Sequence, residues 1–226
     1  MSAIVPKSSF DFLKKLKKNN HRDWMQEHKK EYLASEQELK NFYAEVEAGL
    51  NKNDEISKVK VFRINRDIRF SKDKTPYNVH RSVSFSRAGD HRRGGYYLRL
   101  EPGNSAMAGG FFGPEPADLL RIRKELEMDA KPIRKILDEK EFKKAFGGFI
   151  TEYAVKTAPK GFSKEDPNID LIRLKSFIVV HKFADAEVHS KGFAATVVRH
   201  FELLRPYFDY MSEVLTTDLN GVSTLK

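Results

Sequence analysis

Gly95-Tyr96-Tyr97-Leu98-Arg99-Leu100-Glu101-Pro102-Gly103-Asn104-Ser105-Ala106-Met107-Ala108-Gly109-Gly110-Phe111-Phe112 is the stretch whose reading decides the fold class. Tyr96, Leu98 and Leu100 alternate with Tyr97 and Arg99, the period of a strand with one buried face. Pro102-Gly103-Asn104 is turn chemistry, and residues 106–112 make a second strand candidate, so the segment reads as a hairpin. Val83 with Phe85 adds a strand before it, set off by Gly89-Asp90 and Gly94-Gly95. Earlier still, the β-branched Val59, Val61 and Ile64 favour a strand over residues 58–64. Short strands joined by turns predict an antiparallel meander. Tyr96 and Tyr97 face opposite ways on their strand, which makes one a core residue and frees the other for cross-strand pairing or for stacking on a base.

Helical periods flank this sheet. From Ser9 onward, Phe10, Leu13 and Leu16 mark a short helix that stops at Asn19-Asn20, and Leu39, Phe42, Val46 and Leu50 mark a second over about residues 23–50. Pro114-Glu115-Pro116 opens another, since proline suits a first helical turn and acids favour the positive end of the dipole. A further helical piece with Ile133 and Ile136 leads to Phe146 and ends at Gly147-Gly148. Residues 149–155 read as a strand, 169–174 as a helical turn and 177–180 as a buried strand. Phe193, Val197, Phe201, Leu204, Phe208 and Met211 stripe a last long helix, which Pro206 kinks or divides. The expectation is a single α+β domain over residues 1–226, with N-terminal helices, a central mostly antiparallel sheet and C-terminal helices packed on it.

Composition narrows the function. With no cysteine the chain has no disulfide, thiolate nucleophile or Cys-based metal site, which suits a reducing compartment, and the cytoplasm is the expected location. No apolar run approaches the roughly 20 residues of a membrane span, so no membrane partner is expected. The seven histidines are scattered without a ligand spacing, and neither a metal nor a cofactor is predicted. The oligomeric state is left open.

Charge is the most uneven property. The chain carries a formal +9, and residues 58–99 alone hold 12 basic against 3 acidic residues, which is also +9. The 29 basic and 29 acidic residues elsewhere cancel. Lys60, Arg63, Arg66, Arg69 and Lys72 recur at every third position, followed by Lys74. Neither a strand nor a helix gathers that spacing into one stripe, whereas a turn after Ile64 lets the side chains converge from a loop. Arginine's planar fork matches phosphate in two hydrogen bonds and lysine adds a movable point charge. Arg63, Arg66, Arg69, Lys72, Lys74 and Tyr77 are therefore the ligand-binding candidates. The plainer alternative pairs the arginines with Asp67, Asp73, Glu101 and Glu115 as internal scaffolding. Asp67 and His80 are the candidates for moving a proton, although an aspartate between two arginines is more often an ion-pair partner.

The run Phe62-Arg63-Ile64-Asn65-Arg66-Asp67-Ile68-Arg69-Phe70-Ser71-Lys72-Asp73-Lys74-Thr75-Pro76-Tyr77 resembles the signature of the family catalogued as domain of unknown function 2461. Phe12-Leu13 through Asn19-Asn20 to Trp24 and His28 resembles its opening motif. Gly95 through Gly103, with Gly109-Gly110 and Pro114-Glu115-Pro116, resembles its central one. The resemblance implies a soluble, mostly bacterial protein and supplies no reaction. One departure is visible: where the family pattern often has Lys-Thr after the Pro-Tyr, this chain has Asn78-Val79, which removes a basic group from the loop.

Three functions follow as expectations. The first is binding of a phosphate-bearing ligand, nucleotide or nucleic acid, at the loop of residues 63–80. The second is an enzyme acting on a phosphoester or nucleotide, with the cations stabilising transferred charge and Asp67 or His80 carrying the proton. The third is a structural or protein-partner module whose basic loop is an internal salt-bridge network.

Overall fold

Helices occupy both ends of the chain, and the strands lie between and among them. The computed structural model describes residues 3–225. The N-terminal elements are α1 (Lys7–Lys18), α2 (Arg22–Glu27) and α3 (Lys29–Leu50), followed by strands β1 (Ile56–Val61), β2 (Arg81–Arg87), β3 (Gly95–Leu100) and β4 (Ser105–Phe111). Then come α4 (Pro116–Met128), α5 (Lys131–Asp138), α6 (Lys140–Phe146) and α7 (Ile169–Ile172). Strand β5 (Phe177–Phe183) precedes α8 (Asp185–Val188), α9 (Phe193–Glu202) and α10 (Arg205–Thr216). The five strands form one antiparallel sheet in chain order, β1-β2-β3-β4-β5, giving an α+β fold. No helix among the described residues is long and apolar enough to cross a membrane.

The period-two pattern fixes which face each strand buries. Tyr96 and Leu100 are 1% exposed and Leu98 is fully buried, while Tyr97 and Arg99 on the opposite face stay half-buried. On β2, Val83 and Phe85 are buried in the same alternation. A strand slipped by one residue would exchange these sets, so apolar burial pins the register.

The chain forms two compact units. One comprises the chain through Phe85 with residues 97–107 and 182–199, and its core is helix against strand. Phe42 of α3 stacks on Phe193 of α9 with centroids 5.5 Å apart, and Phe193 meets Phe183 of β5 edge-on at 5.0 Å. Gly49 lets α3 approach Val198 closely. Glu36 of α3 holds the buried Arg81 of β2 by two bonds of 2.6 Å.

The other unit comprises residues 86–96, 108–181 and the chain from 200 onward. Its centre is Tyr207, fully buried, ringed by Phe111, Phe142, Phe149 and Phe208. The Tyr207 hydroxyl donates to the Phe177 carbonyl at 2.6 Å, so the large ring is buried with its polar atom satisfied. Burial pushes that phenol well above its ordinary pKa.

Some expected elements differ in detail. The helix expected over residues 23–50 is two, α2 and α3, parted at His28, whose ring stacks on Trp24 at 3.9 Å while its Nδ1 bonds the Trp24 carbonyl at 2.9 Å. The piece running to Phe146 is likewise two helices, with Glu139 capping the second by accepting from the Phe142 amide. Residues 149–155 are not a strand: Ile150 donates one bond to Ile178, and a turn closed by Ala154 to Thr151 then carries the chain away. Pro206 divides the last helix, standing in the first turn of α10 where its missing N–H costs nothing.

Gly110 shows how closely β4 and β5 approach. Its φ is +134°, and a Cβ there would overlap the Phe177 carbonyl oxygen, which is backbone and has no room to yield. Gly103 also has a positive φ, +73°, but open space around it. Gly110→Ala should therefore destabilise the protein by roughly 3 kcal/mol more than Gly103→Ala. Chemical denaturation of the two variants checks this, and equal losses would mean that the strand approach is not the constraint.

Candidate functional site

The chain leaves β1 at Val61 and re-enters the sheet at Arg81, and the residues between form the basic loop. Its two limbs pair with each other: the Asn78 amide donates to the Ile64 carbonyl at 2.7 Å, and the Arg66 amide to the Pro76 carbonyl at 2.8 Å. Ile64, 3% exposed, anchors the outgoing limb. Asn20, between α1 and α2, grips the returning limb from both sides. Its Nδ2 donates to the Tyr77 carbonyl at 2.9 Å and its Oδ1 accepts from the Tyr77 amide at 3.1 Å.

Inside the loop, the Arg66 guanidinium gathers the chain around itself. Nη1 donates to Asp73 Oδ2 at 2.6 Å, to the Thr75 carbonyl at 3.1 Å and to the Thr75 hydroxyl, while Nη2 reaches Ser71 Oγ at 3.4 Å. Asp73 also accepts from the Thr75 amide at 2.9 Å, and that amide, the Thr75 hydroxyl and Arg66 together bring its carboxyl down to about 2. Asp67 forms a fork with Arg69, at 3.0 Å to Nε and 2.6 Å to Nη2, which lowers the Asp67 pKa. Lys74 Nζ donates to the Ile68 carbonyl at 3.0 Å.

Below the loop lies an open hollow of about 630 Å³. Three neighbouring strands supply its floor, through Lys60 of β1, Ser82 of β2 and Tyr97 of β3. Phe62, Arg63, Asn65, Arg66 and Asp67 line it from the outgoing limb, Asn78 and His80 from the returning one. Phe62 and Tyr97 meet edge-on at 6.0 Å, with Lys60 Nζ 4.9 Å from the Phe62 centroid. Arg63 is exposed and makes no side-chain hydrogen bond or ion pair among the described residues. His80 is half-buried, and desolvation lowers its pKa, with Glu101 opposing and Arg99 and Arg81 adding to the effect. Its imidazole is therefore neutral at pH 7.

The candidates named from the sequence thus separate. Arg63, Arg66, Asp67 and His80 line the hollow. Arg69, Lys72 and Lys74 stand on the loop away from it, and Tyr77 serves through its backbone. Lys60, Phe62, Asn78 and Tyr97 belong to the hollow without standing among those candidates. Strand alternation was the signal for Tyr97. Lys60 opens the every-third-residue run of cations, but its place beside Tyr97 depends on which strands become neighbours of β1.

The hollow brings cations and aromatic rings together. Arg63 and Lys60 face solvent beside two aromatic rings, and Asn65, Asn78 and Ser82 add neutral hydrogen-bonding groups. A metal has less to hold it, since Asp67 and Asp73 already bind arginines and no group of three or more His, Asp or Glu gathers among the described residues. In the second unit, a smaller hollow of about 270 Å³ carries its charges as pairs, Arg134 with Asp170 and Lys143 with Asp138.

If Arg66 and Asp73 fix the loop, Asp73→Asn should speed hydrogen exchange at the amides of residues 66–75 by roughly tenfold while the global unfolding midpoint stays in place. Unchanged exchange there would show that the clasp is incidental to loop order.

The sequence pattern of a family described as conserved hypothetical protein (DUF2461) matches residues 8–210. No curated protein and no solved structure matches the chain.

Proposed function

This chain belongs to the conserved hypothetical family DUF2461, a membership that brings no chemistry with it, and from the side chains of the hollow we propose that it binds a small phosphate-bearing ligand, best met by a nucleotide. The observation that carries this is the sharing of one hollow by Lys60 and Arg63, neither within ion-pair distance of an acid among the described residues, with the rings of Phe62 and Tyr97, although the Arg63 charge is felt at Asp67. Arg63 offers a fork to a phosphate, Lys60 a point charge and Tyr97 a ring on which a base stacks. A volume of about 630 Å³ is in the range of small-ligand sites.

Scaffolding describes the rest of the loop better. Arg66 is bound to Asp73 and forms part of the wall, while Arg69 stands outside the hollow and holds Asp67, which lines it. An enzymatic reading has less support, because Asp67 is forked to Arg69 and leaves His80 as the hollow's neutral base. The lack of cysteine favours a reducing compartment, and we assign the protein to the cytoplasm.

Calorimetric titration with adenosine 5′-monophosphate in low salt is the direct test. Lys60→Ala and Arg63→Ala should each weaken binding by roughly 5- to 10-fold, and Lys72→Ala, outside the hollow, should leave it unchanged. Asn78→Lys should tighten it by adding a cation to the wall. If neither a mononucleotide nor inorganic pyrophosphate binds, the reading is wrong.

Dependence on pH supplies a second test. A bound phosphate favours the imidazolium of His80, so the complex takes up a proton that the free protein lacks at pH 7. Affinity should then rise as pH falls below 7, by at most about tenfold per unit, and flatten once the free imidazole is itself protonated. Without ligand the sign reverses for folding: charging a desolvated imidazole costs stability as pH falls through the unfolded value of 6.5 and below. His80→Gln should remove the rise in affinity and leave only the decline that follows protonation of the nucleotide's own phosphate at about pH 6, and a rise that persists in that variant would assign the proton elsewhere.

A further inference from the structure

Phe70 is 96% exposed at the far end of the basic loop. A whole phenyl ring held in water by a braced loop is unusual, and here the bracing is explicit. Arg66 ties Ser71, Asp73 and Thr75 together, and Lys74 closes on the Ile68 carbonyl, so the segment carrying Phe70 is tied on both sides. A cation stands beside the ring. Arg69 lies 5.9 Å from its centroid, and Lys72 is exposed with no partner among the described residues.

Ring and cation thus meet twice: Phe62 and Tyr97 with Lys60 and Arg63 in the hollow, and Phe70 with Arg69 at the tip, where Lys72 follows two residues on in the sequence. From Lys60 to Lys74 there are six cations against two acids, a net +4. A mononucleotide in the hollow leaves the second pairing unused. A ligand that repeats ring and phosphate along a chain meets both. Building on the phosphate-bearing reading of the hollow, we infer that the ligand is a single-stranded nucleic acid and that Phe70 is its second stacking platform.

Three arguments favour a single strand. Stacking on an exposed ring needs an open base face, which a duplex keeps inside its own stack. Phe62 and Phe70 are eight residues apart, so their backbones are separated by no more than about 28 Å, within a site of roughly 4 to 16 nucleotides. An anionic lipid surface fits less well, because Phe70 is a lone apolar residue flanked by Asp67 and Asp73 rather than part of an apolar face.

Fluorescence anisotropy with labelled oligouridylates and oligodeoxyadenylates of 1, 2, 4, 8 and 12 nucleotides, at low salt and with the full chain, tests this. Affinity should rise with length to a plateau near roughly eight nucleotides. Phe70→Ala should weaken oligomer binding by roughly 5- to 100-fold and leave mononucleotide binding unchanged, while Phe70→Trp should retain it. The exposed side chain makes both variants safe for folding. If a mononucleotide binds but length adds nothing, or if Phe70→Ala has no effect, the inference falls and the hollow's reading stands. Failure of every length to bind ends both. Oligomer binding insensitive to Lys60→Ala and Arg63→Ala, or a Phe70 effect seen only with vesicles containing phosphatidylserine, also overturns the inference.

Discussion

Arg66 keeps only 23% of its side chain exposed although it sits in a surface loop, because the loop is wrapped around its guanidinium. A planar group with five donors satisfies a carboxylate, a carbonyl and two hydroxyls at once, which no lysine can do. The chain from Ser71 to Thr75 has no apolar side chain to bury, so this polar centre takes the place of a hydrophobic one. Everything else about the hollow depends on it. The wall is fixed by Arg66, the acids of the loop are neutralised within it, and the remaining cations are left facing solvent.

The same logic runs through the rest of the positive segment. Arg81 is 3% exposed and forked to Glu36; Arg87 bonds Asp209 at 3.1 Å and the Arg93 carbonyl at 3.0 Å; Arg93 pairs with Asp118, and Arg99 lies 3.4 Å from Glu101. A buried arginine stripped of its acid leaves an uncompensated charge, a loss of about 3–5 kcal/mol, so these residues hold strands to neighbouring elements. The formal +9 is therefore not one undivided patch. Most of its arginines are internal braces, and the outward field comes from Lys60, Arg63, Lys72 and the partly screened loop cations.

Much of the architecture is legible in the sequence because its causes are local. Alternation at Tyr96, Leu98 and Leu100 states which face of β3 is buried, and Pro206 states where α9 and α10 part. The break at His28 is not legible, since it arises from one ring stacking on Trp24 within an otherwise continuous helical period. Residues 149–155 have strand composition, yet a turn at Thr151 carries them off after a single bond to Ile178. The site is half legible. The loop is readable from charge spacing and proline, and Asp67 and Asp73 stand in plain view as partners, but the expected convergence does not describe Arg69, Lys72 and Lys74, which stand away from the hollow. Which arginine takes which acid is a matter of reach across the folded loop, and the membership of Lys60 and Tyr97 in the hollow is a matter of strand order.

The two-way bond between Asn20 and the Tyr77 backbone joins residues 57 apart in sequence. Closing so long a segment loses chain entropy before any local gain returns it, which puts this contact among the slow events of assembly. The returning limb, with Asn78 and His80 on it, has its final seat only where Asn20 holds it. The shape of the hollow is thus underwritten from outside the basic segment: a change that moves Asn20 between α1 and α2 reaches Asn78 and His80 without touching a single cation.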